Sequence, residues 1–580
     1  LNGFPVVNLL KKTILLVLCT FILTAAVLPL PKNPKRLGIH AGNYSLPFLS
    51  LSPPIQINQQ KNADSDKSEK NGGDPGSKDA AQREGGSYQP APKTLRAFIE
   101  GGLIMGASQA NYWRRYIDWV EDWQFKFNWK DQTRRLFTSH GWRFDSNAYF
   151  TNWGHALSGA IYYNAYRTNY LSWSRSLLYT TLTSLYWELL VEWREVISIN
   201  DNIFTIIGGF PVGEVFFQTG SFLQSHPGWL AKLMGGLLNP MRAFNRWLDR
   251  KQSIFHPEFS AHRFRLYAGH RSGKNLAGEQ HRSFAELGLT ADLVRVPGYD
   301  QPGKLNEWRG DILSTHLGMQ LLVGSDGLEE YEILAGTMPW GWVWQDLSPV
   351  KDWNTRGHSL IIGAVMAFEL YSQRQYWKYE RKDPFFRPID YVQIPLPTQF
   401  TDKYAAVHLI GPRMEWRYRG RGFEWTTSAE TTLDFAMTGA FALNDYTNSQ
   451  YRNVSGSDVF NPLEEMKSTL ANYGYYYGLG LSASIELELR TAAGVDWSAW
   501  AKAWVSNSIE GLDRFADDIN DSIKIRDSRS RLGTSLGYRL PGSAVQVRLM
   551  FEQVLRMGKI SDFVSRERDF RLSMHLCYGF

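Results

Sequence analysis

Cysteine is nearly absent from this chain: 580 residues hold two, Cys19 and Cys577. Cys19 lies in a segment read below as removed on export. The mature chain then keeps a single thiol, which excludes an intramolecular disulfide. A dominant charge of one sign is also lacking. Lys and Arg number 63 against 57 Asp and Glu, for a formal net charge of +6. That balance is too mild and too dispersed to point to nucleic acid. No His-Glu-x-x-His occurs and no spacing fits a strong zinc pattern, so neither a metal nor a cofactor is expected. No Gly-x-Ser-x-Gly surrounds any serine, which leaves a hydrolase of that type unsupported. The helical segments described below lack any run of about 18 uninterrupted apolar residues, so none is a convincing membrane span. With a mean hydropathy of −0.33, this excludes a polytopic helical membrane protein. It does not exclude a β-barrel, whose lumen and loops are polar.

Aromatic residues, by contrast, are abundant: 22 Trp, 28 Tyr and 32 Phe, or 14% of the chain. Such a supply suits a barrel with interfacial girdles. The C-terminal eleven residues alternate strictly, with Phe570, Leu572, Met574, Leu576, Tyr578 and Phe580 on one face and Arg571, Ser573, His575, Cys577 and Gly579 on the other. Period two is the mark of a strand with one greasy face. A terminal aromatic after such alternation resembles the signal read by barrel-assembly machinery, an expected partner during biogenesis. The pattern recurs in Tyr473–Leu489, in Phe423, Trp425, Ala429, Leu433, Phe435 and Met437, in Leu532–Leu540 and in Val545–Phe551. Pro541-Gly542 predicts a tight turn, and Gly558–Arg568 reads as a longer polar connection; short turns on the periplasmic side and longer loops outside are the outer-membrane rule. Residues 256–580 are therefore expected to form an antiparallel transmembrane β-barrel of about 12 strands, an even number being the rule. Outer-membrane lipid is the expected surrounding and a Gram-negative outer membrane the expected location.

Lys11-Lys12 followed by the apolar run Thr13 to Ala26 reads as a secretory signal peptide within residues 1–30. Residues 31–93 read as a disordered linker, because Lys61 to Gly76 shows no periodicity and almost no apolar side chains. Residues 94–255 read as an α-helical domain, with helices over Leu95–Trp123, His155–Arg167, Ser172–Trp193 and Ile203–Phe222. The fold class expected is thus α+β, with the helical domain plugging or capping the barrel from the lumen or the periplasm.

The helical domain carries the chemistry-bearing residues. Glu188 and Glu192 are four apart and share a helix face, where two carboxylates repel unless a proton or cation intervenes. With His155 and Asp201 on adjacent helices they form a candidate catalytic acid/base cluster. The alternative is a buried polar network that fixes helix register, with Arg167, Arg175 or Arg194 as counter-charges. Ser198-Ile-Asn-Asp201 has the form of a helix N-cap. Gly159, Gly208, Gly209 and Gly213 are expected to permit close helix contact, with Glu214 on the same helix as the last of them. Tyr112, Trp113, Trp119, Trp123 and Trp129 are core, or line a lipid- or glycan-facing groove.

The stretch Asn152-Trp-Gly-His155-Ala-Leu-Ser-Gly159-Ala-Ile-Tyr162-Tyr163-Asn-Ala-Tyr-Arg167, then Trp187-Glu188-Leu-Leu-Val-Glu192, Asn200-Asp201 and Gly208-Gly209-Phe-Pro-Val-Gly213-Glu214, resembles a bacterial family catalogued as domain of unknown function 3943. The resemblance covers roughly residues 140–225, with Ala156 where that family leads one to expect proline. It implies an exported protein with a helical block ahead of a barrel-like remainder. The Trp-Glu, Asn-Asp, Gly-Gly and Gly-Glu elements also resemble, more loosely, the last helices of VanZ-like proteins. Neither resemblance implies an activity. Three functions follow as expectations: a barrel with a helical plug in transport or envelope lipid maintenance; an envelope enzyme acting on lipid or cell-wall material through His155, Glu188, Glu192 and Asp201; and a structural subunit docking an envelope protein partner.

Overall fold

Alternation in the second half of the chain closes into a ring. In the computed structural model, described over residues 91–116, 127–193, 195–249, 261–274, 281–349, 352–381, 390–395, 400–447, 469–512 and 523–579, twelve long strands run in sequence. They are β1 (Ala261–Lys274), β2 (His281–Val294), β3 (Ser314–Gly324), β4 (Gly327–Leu347), β5 (Gly357–Gln373), β6 (Asp402–Gly420), β7 (Phe423–Gly439), β8 (Tyr475–Thr491), β9 (Val495–Ser508), β10 (Ile525–Arg539), β11 (Val545–Ile560) and β12 (Phe563–Gly579). Each pairs antiparallel with the next, and β12 pairs with β1 through Tyr578↔Leu266 and Met574↔His270. The ring has no free edge, the condition for backbone groups to be satisfied within a lipid layer. A short strand, Gly303–Arg309, pairs with the end of β4.

One rim carries Ala261, Gly579, the short connections after β6, β8 and β10 and the longer ones after β2 and β4. The opposite rim carries the long connections after β5, β7 and β9. The connection expected at Gly558–Arg568 is shorter than its composition suggests. β11 runs to Ile560 and β12 starts at Phe563, so Ser561, at φ 50°, and Asp562 make the turn. Arg566 and Arg568 stand at outward positions of a continuing strand, which is why the segment reads as a loop.

The two faces of the wall differ as the alternation demands. On β12, Phe570, Leu572, Met574 and Leu576 are exposed, while Arg571, Ser573, His575 and Cys577 are buried. The inward side chains bridge the lumen. Arg531 on β10 pairs with Glu332 on β4, six places away around the ring, and with Glu552 at 2.8 Å. Arg571 reaches Glu330 at 3.1 Å, Arg556 reaches Asp402 at 3.0 Å and Asp527 at 2.8 Å, and Arg263 reaches Glu488 at 3.1 Å. Tyr404 and Trp504 stack across β6 and β9 with ring centroids 4.2 Å apart.

Ahead of the barrel lie α1 (Thr94–Tyr116), α2 (Trp129–Phe137), α3 (Tyr149–Arg167), α4 (Trp173–Tyr186), α5 (Ile199–Asn202), α6 (Gly209–Ser225), α7 (Trp229–Leu238) and α8 (Pro240–Asp249). Asn128 caps α2 and Ser172 caps α4 through side-chain oxygens that accept backbone N–H groups. Two wide π turns, Trp187–Val191 and Ile203–Gly208, interrupt the helical path. Among the described residues no helix is long and apolar enough to cross a membrane.

The helices meet the barrel on its outer face. Phe264, Ala291, Leu317, Ala335, Phe368, Val407 and Phe435 form one register row across β1 to β7. They share a strand face with exposed wall residues such as Leu433 and Leu479. Phe222 of α6 stacks on Phe264 at 4.8 Å, Phe204 lies against Phe368 and Phe435, and Gly208 faces Val407. Phe144 packs on Tyr477 at 4.6 Å, and its N–H donates to the Leu512 carbonyl near the rim with the long connections. These contacts are those of a block flanking the wall, where a plug would meet inward residues. The physical reason is that the lumen is bridged by the barrel's own side chains, and a helix about 10 Å wide has no room between Arg531 and Glu332.

The signal segment, the linker up to residue 90, Trp119, Trp123, Arg194 and Phe580 lie outside the described residues.

Candidate functional site

The site is built where α3 crosses the second π turn. A Cβ on Gly159 would fall 1.8 Å from the Thr205 carbonyl oxygen, and one on Gly209 would fall 2.7 Å from the Gly159 Cα. Only paired glycines permit this approach. Gly213 gives the same clearance to Tyr163, whose Cδ1 would stand 2.7 Å from an added Cβ, whereas Gly208 faces the barrel wall at Val407.

That crossing sets His155 beside the start of α5. Its Nε2 lies 3.4 Å from Asp201 Oδ1, and its Nδ1 lies 3.5 Å from the Thr205 hydroxyl. Ser198 caps α5, its hydroxyl accepting from the Asp201 N–H at 3.2 Å, so the Ser-x-x-Asp pattern is a cap in the folded chain. Glu188 reaches the same place from the first π turn, accepting from the Ser198 N–H at 2.9 Å. Glu192 turns instead to the Trp187 indole N–H at 2.8 Å. Glu188 and Asp201 are buried, while the His155 side chain stays 25% exposed.

Burial governs the protonation of this group. It pushes the Asp201 carboxyl up to about 6 and the Glu188 carboxyl well above the usual range, with Glu192 and Asp201 adding to the rise at Glu188. Glu192 rises through burial and then Glu195. Burial also pulls His155 down to about 4. At neutral pH, therefore, Glu188 holds a proton, Asp201 is mostly ionised and His155 is a free base with one nitrogen toward Asp201. This arrangement can accept a proton at His155 and hold the resulting charge against Asp201.

Two participants, Asp145 and Arg135, carry no signal in the sequence. The Asp145 N–H donates to Asn200 Oδ1 at 2.8 Å, and Asn200 Nδ2 donates to Asp201 Oδ1 at 2.8 Å. Arg135 of α2 donates to the backbone carbonyls of Glu188, Leu189, Glu192 and Glu195, which holds the first π turn in place. It serves beside Glu188 and Glu192 as the counter-charge that Arg167 or Arg175 was expected to supply, Arg194 lying outside the described residues. Arg167 is engaged elsewhere: its Nε lies 3.0 Å from Glu214, which also accepts from Tyr163 and Gln218. The Arg167 guanidinium beside Glu214 holds that carboxyl below its ordinary range against the effect of burial. Among the described residues no group of three His, Cys, Asp or Glu is placed to hold a metal ion.

A separate cavity of about 330 Å³ lies inside the barrel, lined by charged groups of both signs including Arg263, Glu286, Asp292, Arg413 and Lys502. It does not include the helical cluster.

Comparison with known proteins gives one match within the helical block. Residues 141–241 match the family model described as "Domain of unknown function (DUF3943)". No curated protein matches the chain. Among solved structures, OmpT, an outer membrane protein of Vibrio cholerae, is 6% identical over 55% of this chain and 97% of its own, at a TM-score of 0.19. The β domain of the Bordetella autotransporter BrkA is 10% identical over 55% and 98%, at 0.18. A FadL homologue of Pseudomonas aeruginosa is 8% identical over 55% and 90%, at 0.19. Scores this low add nothing to the argument, and the outer-membrane type of barrel rests on the closed antiparallel pairing, with apolar residues outside and polar ones within.

Proposed function

We propose that this chain is an outer-membrane β-barrel without a through-pore, which carries its helical block at the lipid boundary and serves the upkeep of envelope lipid. The observation that carries the reading is the set of ion pairs crossing the lumen, with Arg531–Glu332 between opposite strands as its centre. A channel needs an aqueous path, and a lumen bridged by buried pairs has none at that level. The rim with Ala261 and Gly579 faces the periplasm in this reading and the long connections after β5, β7 and β9 face outward. Outer-membrane lipid is then the main partner, and barrel-assembly machinery inserts the chain.

A second reading, an envelope enzyme, draws support from the free-base His155 at 3.4 Å from Asp201 with a quarter of its side chain exposed. The tests separate the two. The mature protein in planar bilayers is expected to show no stepwise conductance, and steady channels refute the closed-lumen reading. In a deletion strain with increased permeability to a hydrophobic dye, His155→Ala at normal abundance restores the barrier if the cluster is structural. Failure to restore it favours the enzyme.

A further inference from the structure

Part of the helical block is inside out, although α3 and α6 bury apolar residues such as Ala160, Val212 and Val215. On α4 and the π turn after it, the buried positions are Ser176, Thr180, Thr183, Ser184 and Glu188, with Val191 at the end of the turn, each 8% exposed or less. Beyond the first turn, where Ser174 and Arg175 are exposed, the positions turned outward are Leu178, Leu182, Tyr186 and Leu190, each 41% exposed or more and spaced four apart. A helix of a water-soluble domain has these faces reversed. The same inversion recurs on α8, where Arg242 and Asn245 are buried and Phe244, Trp247 and Leu248 are exposed. It recurs in part on α1, where Glu100 is buried alongside Ala97 and Met105 beneath outward Leu95, Ile99 and Leu103, and α7 exposes Trp229, Leu233 and Leu237 at four-residue spacing while burying Ala231 and Met234.

Most of the inward polar groups find partners within the block, although Ser176 Oγ and Asn245 Oδ1 find none among the described residues. Asn169 donates to Glu100 at 2.6 Å, Asn245 to Glu100 at 3.2 Å, Asn239 to Asn164 at 3.0 Å, Arg242 to Gln224 at 2.9 Å, and the Ser184 hydroxyl to Asn202 at 3.0 Å. Polar groups gathered inward with apolar groups outward is the arrangement a protein adopts when its solvent is hydrocarbon.

The second observation is where the block sits. Its contacts follow the wall row from Phe264, near one rim at β1, to Phe435 and Tyr477, near the other rim at β7 and β8. The row is continuous with the exposed apolar wall at Leu433, Leu479 and Leu481. Whatever layer wets that wall also meets the far side of the block, because the two surfaces lie side by side.

We infer that the outward face of the helical block is a lipid-contacting surface, bedded in the acyl chains of the membrane that surrounds the barrel. The block is thereby a lateral extension of the lipid-facing wall and neither a periplasmic cap nor a lumen plug. No helix needs to span, since the wall does so and the block lies along it. The inference rests on the reading of the barrel as membrane-embedded, and the experiment keeps the two apart.

Full mature protein carrying Cys577→Ser is reconstituted in dioleoylphosphatidylcholine vesicles. Single cysteines are placed by Leu182→Cys and Leu237→Cys on the block, Met574→Cys on the bare wall and Asp562→Cys in the rim turn, each labelled with an environment-sensitive fluorophore. All four positions are outward-facing, so folding is not at stake. Lipid carrying a nitroxide on the acyl chain is then added. The block labels are expected to be quenched to within twofold of Met574→Cys, with Asp562→Cys unquenched. Block labels that stay unquenched while Met574→Cys is quenched overturn the inference and leave the barrel reading intact. An unquenched Met574→Cys overturns both. Independent labelling of the unmutated protein by a diazirine lipid is expected in peptides covering 178–190 and 229–248, and its confinement to barrel peptides counts against the inference.

Discussion

Replacing Gly159 by alanine tests the crossing on which the cluster depends. An added Cβ would stand 1.8 Å from the Thr205 carbonyl oxygen, 2.7 Å from its carbon and 3.0 Å from its Cα. All three are backbone atoms, so no side-chain rotation relieves the clash, and α3 and the π turn must part by roughly 1 Å. Overpacking of this kind costs about 1–3 kcal/mol, and a backbone obstacle places it near the top of that range. Alanine returns about 1 kcal/mol of helix propensity over glycine, which leaves a net loss of about 2 kcal/mol, or roughly a 30-fold larger opening constant. Gly154 provides the control on the same helix. Nothing lies within 4 Å of its added Cβ, so Gly154→Ala is expected to gain up to about 1 kcal/mol. Amide hydrogen exchange of α3 and α6 in the intact protein measures both. Because Thr205 also faces His155, Gly159→Ala should in addition change the imidazole environment seen by NMR. If the two alanine variants exchange alike, the close crossing is not what holds these helices.

The ionisable groups give predictions of opposite sign. The Glu188 carboxyl is raised by burial, so the cost of keeping its proton grows as pH rises above the unfolded value. Glu188→Gln should stabilise the block at pH 8 by at least about 1 kcal/mol and change little at pH 4; equal effects at both pH values in chemical denaturation argue against it. His155 is lowered to about 4 from 6.5, so its contribution is lost as pH falls from 6.5 towards 4. Asp201 is raised from 3.8 to about 6, so its contribution is lost as pH rises through that interval, and the two oppose each other. His155→Gln should therefore leave a block whose stability falls as pH rises from 4 to 6. The imidazole is a quarter exposed, and an effect of about 1 kcal/mol is expected after solvent screening. In the lumen, Arg531→Ala leaves Glu332 and Glu552 without their shared partner and should cost about 3–5 kcal/mol. A lowered temperature for loss of the fast-migrating barrel form on gels reads this out, with partial recovery on adding Glu332→Gln; an unchanged temperature refutes the bridging role.

The barrel was legible because one rule, alternation, repeats along every strand. Phe570, Leu572, Met574 and Leu576 lie outward as the period demands. What alternation cannot show is where it slips. The irregularities between Thr337 and Trp340 and between His408 and Ile410 reverse the parity of β4 and β6; Pro339 and Gly411-Pro412 stand at these two places as local marks of a bulge, which alternation alone does not register. Charges on the inward positions are visible in sequence, but their partners are not, because Arg531 meets a residue 199 positions away. In the helical block, Ser198 and the glycines were legible since caps and close crossings have local signatures. The neighbours Asp145 and Arg135 were not, since they arrive from segments joined only by folding. The face of α4 was misleading for a deeper reason. Leu178, Leu182 and Leu190 are expected to pack inward under the assumption of water outside, and they are exposed. Periodicity defines two faces; only knowledge of the solvent says which one turns in.

If that solvent is hydrocarbon, the attachment of the block to the wall needs a separate account. Lipid tails are as apolar as Phe204, Phe264 or Phe368, so hiding these rings from lipid yields little of the gain it yields in water. Shape complementarity and hydrogen bonds must then hold the block. The bonds converge on two wall tyrosines: Tyr475 donates to the Asn147 carbonyl at 2.7 Å and accepts from Asn152 at 2.8 Å, while Tyr477 donates to the Asp145 carbonyl at 2.8 Å and also accepts from Asn152. Trp173 adds a bond to the Gly310 carbonyl at 3.0 Å. Changing both tyrosines to phenylalanine removes two hydroxyls, keeps the rings and leaves buried polar partners unsatisfied, at about 1–3 kcal/mol each. Phe204→Leu, which conserves apolar character, should cost less than that in a bilayer. Hydrogen exchange over residues 144–152 in lipid is expected to accelerate strongly in the double tyrosine variant and only slightly in Phe204→Leu. The reverse order would mean that apolar burial drives the docking, and that the groove between block and wall is emptied of water when it forms, which is incompatible with a block assembled within the acyl layer.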